Sequence, residues 1–333
     1  MLRRHDILFC LLLLALVLLF VGDIAVGSVN ISLQQVWAVL TGGEVQESVR
    51  SIVVDIRLVK AIVALLAGVA LSASGLQMQT LFQNPLAGPY VLGVSAGASF
   101  GVALFLLGAP LLGLTSGWLS IGTAGAAWIG AAAVLFIIIT LSRRIKDIMV
   151  ILILGMMFSS ALGAVVEILQ YLSDEAALKS FVVWTMGSLG DVTYSQLAVL
   201  APLILVGVVL GVATIKPMNI LLLGETYART SGINLQRTRR FVLLSTTLLA
   251  GTVTAFCGPI GFVGIAAPHI ARMTFRSADH RILFPASVIV GAIMMLLSDI
   301  ISKLLLLPIN TITALMGIPV VIYIVTRNRK LVR

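Results

Sequence analysis

Charge is scarce in this chain: only 11% of its 333 residues are Asp, Glu, Lys or Arg, against 59% apolar residues and a mean hydropathy of +1.13. A soluble domain carries about 25% charged residues, so a water-bathed globule is excluded. Reactive side chains are scarcer still. The two cysteines, Cys10 and Cys257, lie in apolar runs and read as small buried hydrophobes, with neither a disulfide nor a metal site inferred. Three peripheral histidines and two isolated cysteines cannot assemble a nucleophile–base pair or a metal cluster, which argues against an enzyme. The Gly-Lys dipeptide is missing altogether, so no GxxxxGK[ST] loop exists to cradle the phosphates of ATP.

What remains is membrane-spanning sequence. A hydrocarbon core of about 30 Å needs about 20 helical residues. Laid between charged or Pro/Gly breaks, that ruler gives ten spans, near residues 7–27, 58–79, 92–109, 118–141, 148–172, 194–215, 240–256, 259–274, 282–301 and 308–326. The first follows Arg3 and Arg4 and resembles a signal sequence, but no small-residue cleavage site comes soon after it. It reads as a retained first helix, and residues 1–333 read as one transmembrane domain.

Charge settles the count. With ten spans, 17 of the 22 Lys and Arg fall in breaks on the side of the N-terminus, among them Arg143, Arg144, Lys146, Arg237, Arg240 and Arg272. Arg50, Arg57, Lys60, Lys179 and Lys303 fall on the other side. The asymmetry places both termini in the cytoplasm. Merging spans seven and eight across Cys257-Gly258-Pro259 would send Arg272 to Arg281 outside. The net charge of +9 is therefore topological, and nucleic acid is not an expected partner.

The most informative stretch is Phe82 to Ala98, FQNPLAGPYVLGVSAGA, a Gly- and Pro-broken hinge between two spans. Irregular backbone survives at membrane depth only where protein or a wet pathway surrounds it, so the stretch marks a path through the bilayer. Outside the membrane, residues 28–57 contain NISLQQVWAVL, which predicts a short interfacial helix, and 173–194 predicts a helix packed over the pathway mouth. On the inner side, 218–240 holds NILLLGETYARTSGINLQRTRR, two short amphipathic turns broken at Gly224 and Gly232. Carboxylates that an ion-driven carrier would need near the midplane are few. Glu167 lies roughly 8 Å from the outer end of its span, within reach of the headgroups. Asp299 has Lys303 one turn on, an i,i+4 pair that offsets its charge.

These residues resemble the FecCD-type permeases, the transmembrane subunits of bacterial ATP-driven importers for iron-siderophores, haem and cobalamin. The resemblance covers nearly the whole chain. It rests on Gly75-Leu76-Gln77-Met78-Gln79 with Asn84-Pro85-Leu86-Ala87-Gly88-Pro89 and Leu92-Gly93-Val94-Ser95-Ala96-Gly97-Ala98, then Leu223-Gly224-Glu225 with Ala228. Gly258-Pro259-Ile260-Gly261-Phe262-Val263-Gly264 follows, leading into Pro268-His269-Ile270-Ala271-Arg272, and last comes Thr313-Ala314-Leu315-Met316-Gly317-Ile318-Pro319. One departure stands at the second span, where the family's Arg-Leu-Pro-Arg is Arg57-Leu58-Val59-Lys60. Pro chiefly sets φ in a first turn, so its loss alters how the helix begins rather than the function.

The resemblance implies an all-α polytopic membrane protein of about ten transmembrane helices with an inverted repeat, like the cobalamin-importer permease. It further implies a homodimer with its pathway on the two-fold axis, in the bacterial cytoplasmic (inner) membrane. An extracytoplasmic substrate-binding protein would feed it, and two ATP-binding-cassette ATPase subunits, which bind the ATP and Mg, would drive it. This chain itself would hold no cofactor. Arg57 and Lys303 match outer cations that dock the binding protein, beside the ordinary reading that they pair with Asp55 and Asp299. Leu223, Gly224, Glu225 and Arg229 match contacts of a coupling-helix segment at 218–240. Asp147, Ile148 and Met149 occupy a cytoplasmic gate that would close by dewetting, and Asn84, Pro85, Met156, Ser159 and Ser160 would line the route. His269 is expected in a structural hydrogen bond and not as a metal ligand. Leu65-Leu66-Ala67-Gly68 recurs as Leu248-Leu249-Ala250-Gly251, a trace of the repeat. Ferric siderophore is the first expected cargo, with cobalamin and haem as alternatives; a self-sufficient ion-coupled carrier is the rival from another class.

Overall fold

The computed structural model describes residues 4–27, 29–109, 122–145 and 147–327, and every regular element among them is helical. The helices are α1 (Arg4–Ala25), α2 (Leu33–Thr41), α3 (47–81), α4 (Val94–Gly108), α5 (Gly122–Arg144), α6 (Ile148–Leu172) and α7 (Glu175–Thr185). They continue with α8 (Tyr194–Ala213), α9 (Ile215–Leu221), α10 (Glu225–Thr230), α11 (Leu235–Cys257), α12 (Val263–Phe275), α13 (His280–Leu305) and α14 (Ile309–Arg327). Many begin where the sequence supplies a side-chain acceptor. Ser32, Asp147, Asp174, Thr193, Asn234 and Asp279 each take the backbone N–H two or three residues on.

The expected spans correspond to α1, α3, α4, α5, α6, α8, α11, α12, α13 and α14. Six of these, α1, α5, α6, α8, α11 and α13, are by themselves long and apolar enough to cross a bilayer. Residues 118–121, the expected start of the fourth span, lie outside the described residues, as do Arg3, Lys146, Arg329, Lys330 and Arg333. Spans seven and eight are separate helices. Gly258 at φ +74 and Phe262 at φ +66 turn the chain between them, so α12 begins at Val263 and not near 259. With Val59 in place of a proline, α3 runs unbroken from residue 47, passing through a π-helical stretch at Ile52–Leu58.

The 59–81 part of α3 is the centre of the bundle, buried against α13, α11, α12 and α8. Lipid tails are as apolar as Leu, so helices in a bilayer gain by close backbone contact more than by hiding from water. A Cβ on Gly68 would stand 2.3 Å from the Gly291 carbonyl oxygen of α13, and one on Gly75 only 1.7 Å from that of Gly264 in α12. Only glycine fits either crossing.

Helix pairings repeat along the chain. α3 packs on α13 as α11 packs on α5; α4 packs on α5 as α12 on α13; α3 meets α12 as α11 meets α4; α4 meets α6 as α12 meets α14. That is the pairing of two four-span units, α3 to α6 and α11 to α14, running in opposite directions. The two Leu-Leu-Ala-Gly copies fall at equivalent places, Gly68 against α13 and Gly251 beside Ala131 of α5.

Residues 82–93 turn back from the end of α3 into the bundle. His269 Nε2 donates to the Pro85 carbonyl at 2.8 Å, as its expected structural role requires. The Tyr90 hydroxyl accepts from the Ile260 N–H and from Thr254 Oγ1, each at 3.4 Å. Phe82, Ala87 and Leu92 are buried, while Gln83, Pro85 and Leu86 are exposed. Neighbouring helices thus enclose most of this irregular backbone and satisfy part of it, and α4 is left as a short span that starts inside the bundle. On the opposite side, α2 buries Val36 and Val39 against Ile24 and Val53 and exposes Leu33 and Trp37, as an interfacial helix does.

Candidate coupling and translocation sites

On the side of the termini, two short helices, α9 and α10, join α8 to α11. Met218, Leu221 and Ala228 are buried and anchor them. Between them Gly224 takes φ +99 and ψ 156, a conformation closed to residues with a Cβ. Of the four expected contact residues, Leu223 is 65% exposed and Arg229 is also exposed, whereas Gly224 forms the bend. Glu225 turns inward. Its carboxylate bonds the buried Arg239 of α11 and lies 3.8 Å from Arg229 one turn on. Leu222 and Tyr227, exposed apolar side chains flanking the bend, belong to the same surface. The sequence does not mark them, because an exposed Leu or Tyr in an apolar chain carries no signal of its own.

Side-chain bonds fasten this segment to the bundle. Gln83 Nε2 donates to the Leu221 carbonyl at 3.2 Å, tying α9 to the hinge after α3. The Asn219 amide nitrogen donates to Asp279 at 2.6 Å, which fixes the orientation of its oxygen toward His280. That oxygen accepts from the His280 N–H and from Nδ1, both at 2.8 Å. Nδ1 therefore carries the ring proton, and Nε2 faces Thr80 Oγ1 of α3 at 2.9 Å. The Asp279 carboxyl, accepting from the Arg281 N–H and the Asn219 amide, is held below its ordinary range. Asn219, Thr80 and His280 were not expected from sequence, since their partners are up to 200 residues away.

The expected gate lies at the start of α6. Asp147 caps the helix by accepting from the Met149 N–H at 2.8 Å, Ile148 is buried and Met149 is exposed. Farther along α6, Ser159 and Ser160 donate to the carbonyls of Gly155 and Met156 one turn back. Met149, Ile153, Met156, Ser160, Ala164, Glu167 and Tyr171 are all exposed and recur at three- and four-residue steps, so they form one face of the helix. Glu167 shares that face with the expected wall residues Met156 and Ser160; Ser159 is half-buried beside it.

The expected docking cations are placed differently. Arg57 is buried, and its guanidinium donates to the carbonyls of Ile24 at 3.1 Å, Ala25 at 2.8 Å and Val29. Asp55, its expected ordinary partner, instead accepts from Ser51. Lys303 does pair with Asp299, at 2.8 Å, and equally with Asp23 of α1 at 2.8 Å. Lys60 adds a second cation to Asp299 at 3.0 Å. Burial forces this arrangement, because a charge removed from water must find a partner. Both cations brace α1, α3 and α13 from within, while Arg50 and Lys179 remain exposed on the same side. Among the described residues, no three His, Cys, Asp or Glu are grouped to hold a metal ion.

Comparison with known proteins matches residues 13–327 to the model of the FecCD transport family. The hemin transport system permease protein HmuU of Yersinia pestis is 35% identical over 328 residues, covering 96% of this chain and 95% of its own. The vitamin B12 import system permease protein BtuC of Citrobacter koseri is 38% identical over 281 residues, 83% of each chain. Among solved structures, an inward-facing conformation of an ABC transporter described as metal-chelate type superposes with a TM-score of 0.83 at 29% identity, covering 97% of this chain and 99% of the other.

Proposed function

The chain belongs to the FecCD transport family, and we propose that it is the permease subunit of an ATP-binding-cassette importer, a homodimer that passes an intact metal chelate across the bacterial inner membrane. The observation that carries this reading is the α9–α10 segment. A self-sufficient carrier has no use for a rigid inner lever, whereas here a bent pair of short helices is pinned to α3 and α13 through Gln83, Asn219 and His280. It offers Leu222, Leu223, Tyr227 and Arg229 outward. Two partner ATPases, holding the ATP and Mg, would grip that surface, and the pins would carry their closure to the hinge at Asn84-Pro85. Glu225 serves as an internal strut.

In this reading both termini are cytoplasmic, and two α6 faces meet across the dimer axis. From Met149 to Ala164 their row of Met, Ile, Ser and Ala offers no charged ligand, with Glu167 and Tyr171 only at its far end, which suits passage of a bulky chelate without capture. Met149, beside Asp147 and Ile148, closes the inner end by dewetting. Docking of the extracytoplasmic binding protein falls to Arg50 and Lys179, with Arg57 and Lys303 as the frame beneath. The cargo is a ferric siderophore, haem or cobalamin. Relatives named for hemin and vitamin B12 put those two level with the siderophore.

The test uses liposomes containing the chain with its cognate ATPase and binding protein. Uptake of ferric siderophore, haem and cobalamin is compared with and without ATP, for the native chain and for Glu225→Ala and Arg229→Ala. We expect ATP-dependent uptake of one chelate, reduced at least tenfold in Glu225→Ala, where the buried Arg239 loses the Glu225 carboxylate. Uptake that persists without the ATPase and follows a proton or sodium gradient overturns the reading.

A further inference from the structure

One face of α11 is basic at its start and apolar beyond. Arg237, Arg240, Phe241 and Leu244 line an open cavity of about 450 Å³ at the inner end of the helix. Leu244 also lines a second cavity, of about 200 Å³, that continues along α11 past Leu248 to Gly251, walled by Trp128 and Leu135 of α5 and Leu210 of α8. Positions 237, 240, 241, 244, 248 and 251 recur at helical steps, so the two cavities form one groove on one face. Arg237 and Arg240 are exposed, and neither pairs with a carboxylate among the described residues. The Arg237 guanidinium instead lies over the Phe241 ring, 5.7 Å from its centroid.

The dimensions match a lipid. From residue 240 to 251 the groove descends roughly 16 Å at 1.5 Å per residue, close to half of a hydrocarbon core of about 30 Å. Two guanidinium groups at the membrane boundary, above an apolar slot as deep as one leaflet, have the charge and shape of an anionic phospholipid inverted. We propose that this face of α11 binds an anionic phospholipid, its phosphate between Arg237 and Arg240 and one acyl chain lying against Leu248, Gly251 and Trp128. A zwitterionic lipid fills the slot without satisfying both cations; a free phosphate satisfies the cations and leaves the slot empty. The site depends only on the chain spanning a bilayer and is independent of the importer reading.

Trp128 makes the groove its own reporter. In the full-length variant Trp37→Phe/Trp118→Phe/Trp184→Phe, which keeps Trp128, quenching by acyl-brominated phosphatidylglycerol is compared with quenching by acyl-brominated phosphatidylcholine. Two surface cations favour the anionic headgroup about tenfold or more, so we expect a preference of that order, abolished in Arg237→Gln/Arg240→Gln. Arg276→Gln, which removes an exposed cation elsewhere on the same side, should leave it intact, as should millimolar glycerol phosphate. Equal quenching by the two lipids overturns the proposal. So does a preference that survives the double substitution, falls equally with Arg276→Gln, or is displaced by glycerol phosphate.

Discussion

Residue by residue, the buried charges of the outer side show how a bilayer protein constrains the few ions it keeps. Lys303 serves two carboxylates and a carbonyl at once, Asp299, Asp23 and the Asp23 backbone, all at 2.8 Å. Removing Lys303 leaves Asp299 with Lys60 but takes away the cation that faces the buried Asp23, and a buried charge deprived of its partner costs about 3–5 kcal/mol. We therefore expect Lys303→Met to lower the thermal unfolding midpoint in detergent by many degrees, and an added Asp23→Asn to recover part of the loss. A midpoint unchanged in the single variant would mean that Lys303 is held at the surface. The i,i+4 pair with Asp299 was readable from sequence. Asp23, 280 positions away, was not.

At the level of elements, α9 and α10 combine a strong local signal with a hidden tertiary one. Gly224 and Gly232 announce the bends, and both adopt positive φ. A Cβ at Gly224 meets no neighbouring atom, so any cost of substitution there is backbone strain alone, about 1–3 kcal/mol. Gly224→Ala should thus leave the unfolding midpoint of the bundle nearly unchanged while reducing ATP-driven uptake several-fold, because the strain falls on the segment that transmits force. Equal loss of fold and transport would make the bend merely structural. The anchor to α13 through Asn219 and His280 escaped the sequence for a plain reason. Nothing near His280 in the sequence marks it, because its hydrogen-bond partners come from α9 and α3.

For the whole molecule, stability turns on backbone contact at the centre. The Gly75 crossing with Gly264 leaves no room for any side chain. Gly75→Val should force α3 and α12 apart and abolish the monodisperse peak in size-exclusion chromatography. Gly163, which has open space around its Cβ position, should accept Ala without consequence. A well-folded Gly75→Val protein would show that α3 is not the tightly gripped axis of the bundle. The repeat of pairings between α3–α6 and α11–α14 is a property at this scale too. Its only sequence trace is Leu-Leu-Ala-Gly, four letters common in any apolar chain.

Hydrophobic length and the placement of cations set the ten spans, because a bilayer imposes a fixed thickness and a polarity that local sequence must meet. Side-chain acceptors set where helices such as α2, α6 and α8 begin, since a cap acts within three residues. The motifs around Asn84-Pro85, Leu223-Gly224-Glu225 and Pro268-His269 carried the family resemblance; a structural hydrogen bond was expected of His269, but its partner, the Pro85 carbonyl 184 positions away, was not. What only the tertiary structure decided is which charges face outward. Sequence placed Arg57 and Lys303 at the same end of the bundle, where both meet the end of α1, but could not tell surface from interior there, because burial depends on carbonyls and carboxylates supplied by α1 and α13. The same holds for Glu225, turned toward Arg239, and for the groove on α11, whose walls come from α5 and α8. Local chemistry fixes an element and its depth in the membrane; long-range contact fixes which way each side chain points.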